Sequence, residues 1–480
     1  MVCVSRSEYD AVVVGAGPNG LVGAITLARA GRKVLLVEAA PTLGGGMRSA
    51  ELTEPGFVHD ICSTVHALGV ASPALRDLAL AEHGVEWVDP EIQFAHPLDD
   101  GRAALLYRDV TRTADAFSPA DGRAYTRLMQ PLVDAAPQLV ETLMSPLSRP
   151  RAPIAAARFG RHAIRSAQHL AQAAFDGDEP RALVAGASAH AIQPLTNAGT
   201  AGYGLFLGLL AHASGWPVAR GGSQQLANAL GAILTELGGE IVTEHRVHDL
   251  DELPPTATTL LDITPRQLLR IGGERITGRY RRALAGYRYG PGVFQVDWAL
   301  REAIPWTNAD VRRSGTVHLG GTLEEIVAAE GAVTRGEHPH RPYVIVVQPT
   351  VMDRSRAPAG AHVAWAYCHV PNGSIVDQTA AIEGQLERFA PGFGDTVIAR
   401  HTMNTAAMEA HNGNYVGGDI NGGAGDLRQL FARPGASLHP WTTSIPGVYL
   451  CSASTPPGGG AHGMAGLHAA RLALRQHRGA

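Results

Sequence analysis

The residues Tyr9-Asp-Ala-Val-Val-Val-Gly15-Ala-Gly17-Pro18-Asn19-Gly20 decide the fold. The β-branched run suits a buried parallel strand. It feeds directly into G-x-G-x-x-G, a weak signal alone but one that has its context here. Ala24, Leu27 and Gly31 follow at helical spacing, and Lys33 to Val37 (KVLLV) reads as a second strand ending at Glu38. Gly15 permits the tight turn, Gly17 lets backbone approach a pyrophosphate, and Gly20 lets helix and strand pack closely. The helix N-terminus offers free N–H groups and a positive dipole end to phosphates. Glu38 stands where an acid accepts hydrogen bonds from ribose hydroxyls and disfavours a 2′-phosphate. The fold class expected is α/β, with a Rossmann-like nucleotide-binding domain.

A second Gly-rich turn follows the acid: Pro41-Thr-Leu-Gly44-Gly45-Gly46-Met47-Arg48-Ser49. A glycine doublet followed by Arg and Ser resembles the second FAD fingerprint of glutathione-reductase-type flavoproteins, which NAD-only domains lack. Such a turn lets backbone run beside an extended FAD, and Arg48 can meet its pyrophosphate or flavin edge. The expected cofactor is FAD, held by Gly15, Gly17, Pro18, Asn19, Gly20, Glu38, Ala39, Gly44, Gly45, Gly46, Met47 and Arg48.

Domains of this kind are often discontinuous, and the chain returns twice. Leu226, Leu230, Ile233, Leu234 and Leu237 repeat at helical spacing before Gly238-Gly239, which suits a C-cap. Glu240 to Val247 (EIVTEHRV) and Leu260 to Thr264 (LLDIT) then read as strands, and in related flavoproteins the strand at Val247 lends backbone groups to the adenine. The second return is Gly447-Val-Tyr-Leu-Cys451, followed by a Gly-rich turn and a helix. Ser452, Gly459, Gly460, His462, Gly463 and Met464 of that turn are placed at the flavin, where a helix N-terminus stabilises negative charge. Residues 1–70, 216–265 and 431–480 are therefore assigned to a discontinuous FAD-binding domain. Residues 71–215, Ala- and Leu-rich and mostly helical, and 266–430, with strands such as GVFQVDWA, YVIVVQ and HVAWAYCHV, form an interleaved α+β substrate domain whose mixed sheet roofs the flavin.

Composition excludes other chemistries. At 480 residues the chain exceeds one ordinary core. A net charge of −4 leaves no electrostatic footprint for nucleic acid. Of 40 basic residues only Lys33 is lysine, at the strand end opposite the phosphate turn. Schiff-base, PLP and P-loop kinase mechanisms need a lysine at the reacting centre. Cys3, Cys62, Cys368 and Cys451 form no C-x-x-C pair, so neither a zinc site nor a disulfide framework is implied. His338-Pro-His340 lacks acidic or Cys neighbours, and no metal is expected. The N-terminal ten residues carry charges and no apolar segment, and a reduced, cytoplasmic compartment is the expectation. The longest apolar run, Thr200 to Ala213 (TAGYGLFLGLLAHA), falls short of the roughly 20 residues of a spanning helix and reads as a buried one. Arg149, Arg151, Arg158, Arg161 and Arg165 crowd a stretch without acids, which is a solvated helix face, a peripheral contact with an anionic membrane surface or a contact with an anionic substrate. Self-association into a homo-oligomer stays open.

Beyond the glycine turns, SGTVHLGGTLEEI, WAYCHVPNGS, NYVGGDINGGA (Asn414 to Ala424), Asp297-Trp298 and YLCSASTPPGGGAHGMAGLHAAR complete a pattern running nearly end to end. It resembles the phytoene desaturase and carotenoid isomerase-type FAD flavoproteins, and within them the pyridine nucleotide-disulphide oxidoreductase domain-containing protein 2 branch. The resemblance implies FAD and a hydrophobic small-molecule substrate such as a polyene or lipid-like compound; the electron acceptor, whether oxygen, a quinone or another, stays open. The acid that many such proteins carry after the C-terminal strand is replaced by Cys451-Ser-Ala-Ser454. Carbon oxidation by flavin needs a hydride acceptor, sometimes a base, and orientation in an apolar chamber. Three residues are catalytic candidates. His66 either shuttles a proton or is a hydrogen-bonded structural histidine. His462 takes part in the chemistry or simply touches the flavin. Asp419 either points into the cavity or caps a turn. The expected activity is dehydrogenation of the substrate by hydride transfer to flavin N5, with redox-neutral cis/trans isomerisation or a flavin-bearing binding protein as alternatives. Disulphide reduction is rejected for want of a paired-cysteine motif.

Overall fold

The computed structural model describes residues 9–145, 150 and 152–476. Its central sheet is built from β1 (Ala11–Val14), β2 (Val34–Val37), β5 (Glu240–Val242), β6 (Thr258–Leu261) and β12 (Val448–Leu450). The order is β12-β6-β1-β2-β5, with every pair parallel. β1 and β2 are buried on both faces, as a parallel sheet covered by helices requires. Helix α1 (Pro18–Arg29) leaves the first turn and packs against α4 (Gln224–Glu236) and α5 (Met464–Gln476). The α1–α5 crossing is close enough to demand glycine: a Cβ on Gly466 would fall 1.8 Å from the Asn19 carbonyl oxygen.

The second sheet runs β11 (Val397–Met403), β7 (Gly292–Leu300), β10 (His362–Val370), β9 (Val344–Val347), β8 (Ser314–Leu319), β3 (Ile92–Pro97) and β4 (Ala103–Tyr107). All its pairs are antiparallel except β8 with β3. Strand alternation divides its side chains. Phe294, Val296, Trp298, Val344, Val346, Ala364 and Ala366 pack into one core, while Val293, Ile345, Val347, Trp365 and Tyr367 face the other way. Four of the second set (Ile345, Val347, Trp365 and Tyr367), with Thr316, form one wall of the main cavity. On the helical side, α2 (Asp178–Ala189) and α3 (Thr200–Ala213) pack together, and α3 covers the long apolar run.

Two local readings change. Residues 71–215 contain β3 and β4, a hairpin turning at Asp99-Asp100-Gly101, with Gly101 at φ +84°. Its strands alternate their faces and join the sheet, so the Ala/Leu-rich average of the segment concealed them. The predicted strand 240–247 stops at Val242 because Glu244 takes φ +56°. The chain then folds back, with Glu244 N–H donating to Ala40 O and His245 N–H to Glu38 O. Arg149 and Arg151 lie outside the described residues. Arg158 and Arg161 are exposed on the helix Pro153–Ala163, and Arg165 follows it. Among the described residues no helix is long and apolar enough to cross a membrane.

Candidate functional site

A cavity of about 570 Å³ begins at the first glycine turn and ends between the second sheet and the helices. Its nucleotide end is built by β1, the turn and α1. Gly15 adopts φ +96°, and its N–H donates to Val37 O. A Cβ on Gly20 would stand 1.9 Å from Gly15 O, so only glycine lets α1 start here. Gly15, Gly17, Pro18 and Asn19 line the cavity. The buried Asn19 amide oxygen has no protein partner; turning the amide presents an N–H donor in its place.

Glu38 ends β2 and also lines the cavity, with Ala39 beside it. Its carboxylate accepts from Ala16 N–H at 2.6 Å and Ala40 N–H at 2.8 Å, which ties the acid to both loops while leaving lone pairs free. Gly45, Gly46, Met47, Arg48 and Val247 complete this end. Arg48 donates to Gly45 O at 3.0 Å and His411 O at 2.9 Å, and burial lowers its pKa from the ordinary range. From the C-terminal return, Ser452 and Gly460 reach the wall.

Four of the expected glycines and one methionine stand off the wall. Gly20, Gly44, Gly459, Gly463 and Met464 are not on the cavity wall. Gly44 takes φ +118° and packs on Ala227; Gly459 packs on Asn421; and a Cβ on Gly463 would meet Val22 at 2.4 Å. Met464 is buried at the start of α5. These residues shape the turns from behind.

The three catalytic candidates separate. His66 lines the cavity. Its Nε2 lies 2.8 Å from Ser223 Oγ, which itself donates to Ser63 O. The hydroxyl proton is thereby used, so His66 Nε2–H donates and the buried, unpartnered Nδ1 keeps a bare lone pair. Burial pushes the ring down to about 4, which keeps it neutral. His462 is not on the wall; its Nδ1 accepts the Met464 N–H at 3.0 Å and caps α5. Asp419 is not on the wall either. Its carboxylate accepts from Gly290 N–H at 2.7 Å and Asn421 N–H at 2.8 Å, so it fastens a turn. The Asn421 bond is the common local use of Asp in turns, and the Gly290 bond ties that turn to a distant segment.

Several wall residues escaped the sequence reading. Asp262, at the end of β6, accepts the Gly20 N–H at 3.0 Å. A Cβ on Gly17 would fall 2.7 Å from its Oδ2. Burial raises this carboxyl to about 7, and the charge on Glu38 adds to the rise. The available signal was a charged residue ending an otherwise apolar strand, LLD. Tyr415 backs the second turn, where a Cβ on Gly46 would meet its hydroxyl at 2.3 Å. At the far end stand Leu207, Trp216, Ile345, Val347, Trp365 and Tyr367. Trp365 and Tyr367 stack with centroids 5.5 Å apart and planes 15° from parallel.

These residues fit FAD, and FAD is the cofactor the site is built to hold: a glycine turn at a helix N-terminus, an acid for ribose, a second glycine turn, and one cavity lined by all three. Residues 13–80 match the NAD(P)-binding Rossmann-like domain family. The chain is 26% identical to the rat (Rattus norvegicus) pyridine nucleotide-disulfide oxidoreductase domain-containing protein 2, across 98% of this chain and 94% of that protein. A limonene dehydrogenase component from Castellaniella defragrans is 32% identical over 124 residues, 25% of this chain and 22% of that protein. Among solved structures, an oxidoreductase from Methanosarcina mazei superposes with a TM-score of 0.64 at 16% identity, over 97% of this chain and 99% of the other, which shows a shared fold.

Proposed function

We propose that this chain is an FAD-dependent oxidoreductase that dehydrogenates a hydrophobic small molecule, as the phytoene desaturase-type flavoproteins it resembles do. One observation carries the reading: the nucleotide end of the cavity continues without interruption into a chamber walled by Leu207, Trp216, Ile345, Val347, Trp365 and Tyr367. When bound, FAD supplies the hydride acceptor. The protein's own part is to hold and orient. The first turn and the α1 N-terminus bind phosphate, Glu38 binds ribose, and the aromatic and aliphatic walls exclude water and align an apolar substrate. His66 offers a bare Nδ1 as a hydrogen-bond acceptor on this reading, since burial disfavours its taking up a proton. The name limonene dehydrogenase agrees with dehydrogenation of an apolar compound, though that likeness spans a quarter of this chain.

Disulphide chemistry is not supported. Cys62, Cys368 and Cys451 are each unpaired, and burial pushes the Cys62 thiol up to about 11, the wrong direction for a reactive thiolate. Lys33 lies over the Tyr9 ring at the outer end of β2, remote from the cavity wall, so a lysine-assisted amine oxidation is not supported either.

The test is anaerobic mixing of the flavin-loaded protein with terpenes, carotenoid precursors, long-chain lipids and amines. Bleaching of the oxidised flavin band by an apolar compound, with a dehydrogenated product, is the expected result. Isomerisation of such a compound only after prior flavin reduction would overturn the proposal. So would an unchanged flavin spectrum with every compound.

A further inference from the structure

The helix Pro153–Ala163 takes no part in the site described above, yet its two sides differ sharply. The inner side is filled by small residues and one ring. Phe159 is buried, and a Cβ on Gly202 of α3 would stand 3.2 Å from Ala163 Cβ, so the helix lies close against α3. The outer side carries Ile154, Ala157, Arg158 and Arg161, with Ile164 just past the end, and spacings of three and four residues put them on one face. Ile154 is 74% exposed and Ile164 63%. Packing against α3 uses neither isoleucine.

The charges on this face are all of one sign. Between Glu141 and Asp176 the sequence holds no acid. Arg158 and Arg161 are exposed, and Arg165 is half-buried beyond the helix end. Among the described residues none of these arginines is ion-paired; Arg161 has only His162 Nε2, at 3.0 Å. The apolar surface extends past the helix. Gly199 N–H donates to Ile164 O at 3.1 Å, and the Leu427 side chain lies against Gly199. Phe431, four residues further along the helix Leu427–Phe431, is 62% exposed. One exposed isoleucine has no meaning alone. Two of them, framing unpaired guanidinium groups with no carboxylate along the stretch, match a helix that lies in the plane of a bilayer interface.

We propose that this face docks peripherally on an anionic lipid bilayer. Ile154, Ile164 and Phe431 enter the headgroup boundary, and Arg158, Arg161 and Arg165 meet lipid phosphates. The isoleucines stand ten positions apart, about 15 Å along the helix axis, so the helix lies flat on the surface. Arginine stems are long enough to run beside the isoleucines and still place their charge among the headgroups. A bilayer also demands no pocket, and a convex helix face offers none. Behind the docking helix lies α3, which supplies Leu207 to the chamber wall. On the reading of the cavity as a substrate chamber, an apolar molecule dissolved in the bilayer is therefore one helix away. The docking itself rests on surface residues alone.

The test titrates flavin-loaded protein with vesicles of phosphatidylcholine, or of phosphatidylcholine and phosphatidylglycerol in equal parts, and reads binding by co-sedimentation. Binding to the mixed vesicles only is expected. It should weaken steeply as ionic strength rises from about 0.1 M to about 1 M, which shortens the Debye length from about 10 Å to about 3 Å. Each arginine at the surface is worth about fivefold, so Arg158→Gln with Arg161→Gln should weaken binding about twenty- to thirtyfold. Ile154→Ser with Ile164→Ser should weaken it about tenfold or more while leaving its salt response. Arg301→Gln with Arg312→Gln removes the same charge at exposed positions after β7 and before β8, off this face, and should leave binding nearly unchanged. All six positions are exposed, and unchanged Tm and flavin content confirm that each variant is folded. No binding to the mixed vesicles would overturn the proposal, as would equal weakening by the two arginine pairs or no effect of the isoleucine pair. Self-association abolished by Ile154→Ser, without vesicle binding, would give the face to a second copy of the chain and overturn it too. Vesicle binding is scored without substrate, so its failure is distinguishable from failure of flavin bleaching.

Discussion

Replacing Asp262 by Asn should make the protein more stable at alkaline pH and leave it unchanged at acid pH. The carboxyl is buried and its pKa is raised from 3.8 to about 7, first by burial and then by Glu38. The folded protein thus holds this proton more tightly than the unfolded chain. Stability conferred by the neutral form is full below the unfolded value of 3.8, and is lost as pH rises through about 7. At about 1.4 kcal/mol for each pH unit, the loss is about 4 kcal/mol as an upper bound. Asn keeps the acceptor for Gly20 N–H but cannot ionise. At about 2.1 cal/mol/K for each residue, the unfolding entropy is ~1 kcal/mol/K, so the difference in Tm is at most ~4 °C. Differential scanning fluorimetry of flavin-free protein measures it. Asp262→Asn should match wild type at pH 4 and exceed it by a few degrees at pH 8.5. FAD affinity should follow, because on the proposed reading a phosphate anion shares this turn with the carboxylate. Fluorescence titration with FAD should show wild-type affinity weakening above pH 7 and the variant's staying level. Parallel Tm curves for the two proteins across this range would refute the reasoning.

Three further outcomes follow from the packing. Gly20→Ala places a methyl 1.9 Å from Gly15 O, so the variant should purify without flavin and with a lowered Tm; retention of a full flavin complement would contradict the turn geometry. Asp419→Ala strands the N–H groups of Gly290 and Asn421 and should cost about 1–3 kcal/mol for each. Asp419→Asn keeps an acceptor for only one of these N–H groups, since Oδ2 serves Gly290 and Oδ1 serves Asn421, and should recover at most part of that, with the rate of flavin reduction near wild type in the surviving protein; a folded Asp419→Asn that no longer reduces flavin would favour the residue as a catalytic candidate. Arg356 and Asp60 pair at 2.8 Å with neither side chain exposed, so Arg356→Met alone should destabilise by about 3–5 kcal/mol. The double variant Arg356→Met with Asp60→Asn should regain part of it in a chemical denaturation series. No recovery would mean that the charge left behind was not the cause.

The parts of this molecule that can be read from contiguous residues were legible without coordinates. Strand, turn, helix, strand and acid occupy residues 11–38, and each spacing there is imposed by local backbone geometry. Gly15 needs its left-handed φ, Gly20 needs to lack a Cβ, and both requirements lie within a single turn. The apolar run at Thr200–Ala213 likewise announced its helix, because length and composition suffice for that. Segment averages misled where a short hairpin was set among helices, as with Ile92–Pro97 and Ala103–Tyr107.

The chemistry at the wall had no such local signature. Asp262 stands 242 residues from the amide it receives, and Asp419 129 residues from one of its own. Whether an aspartate enters a cavity or fastens a turn depends on which amides the fold brings within reach, and no spacing in the chain encodes that. The same holds for His66, whose Nε2 meets Ser223 Oγ, 157 residues away. A histidine's tautomer follows from the partners of both its nitrogens, and those partners come from different elements. The glycine turns were therefore legible from one stretch of chain, whereas the places of Asp262, Asp419 and His462 belong to the packing of distant elements.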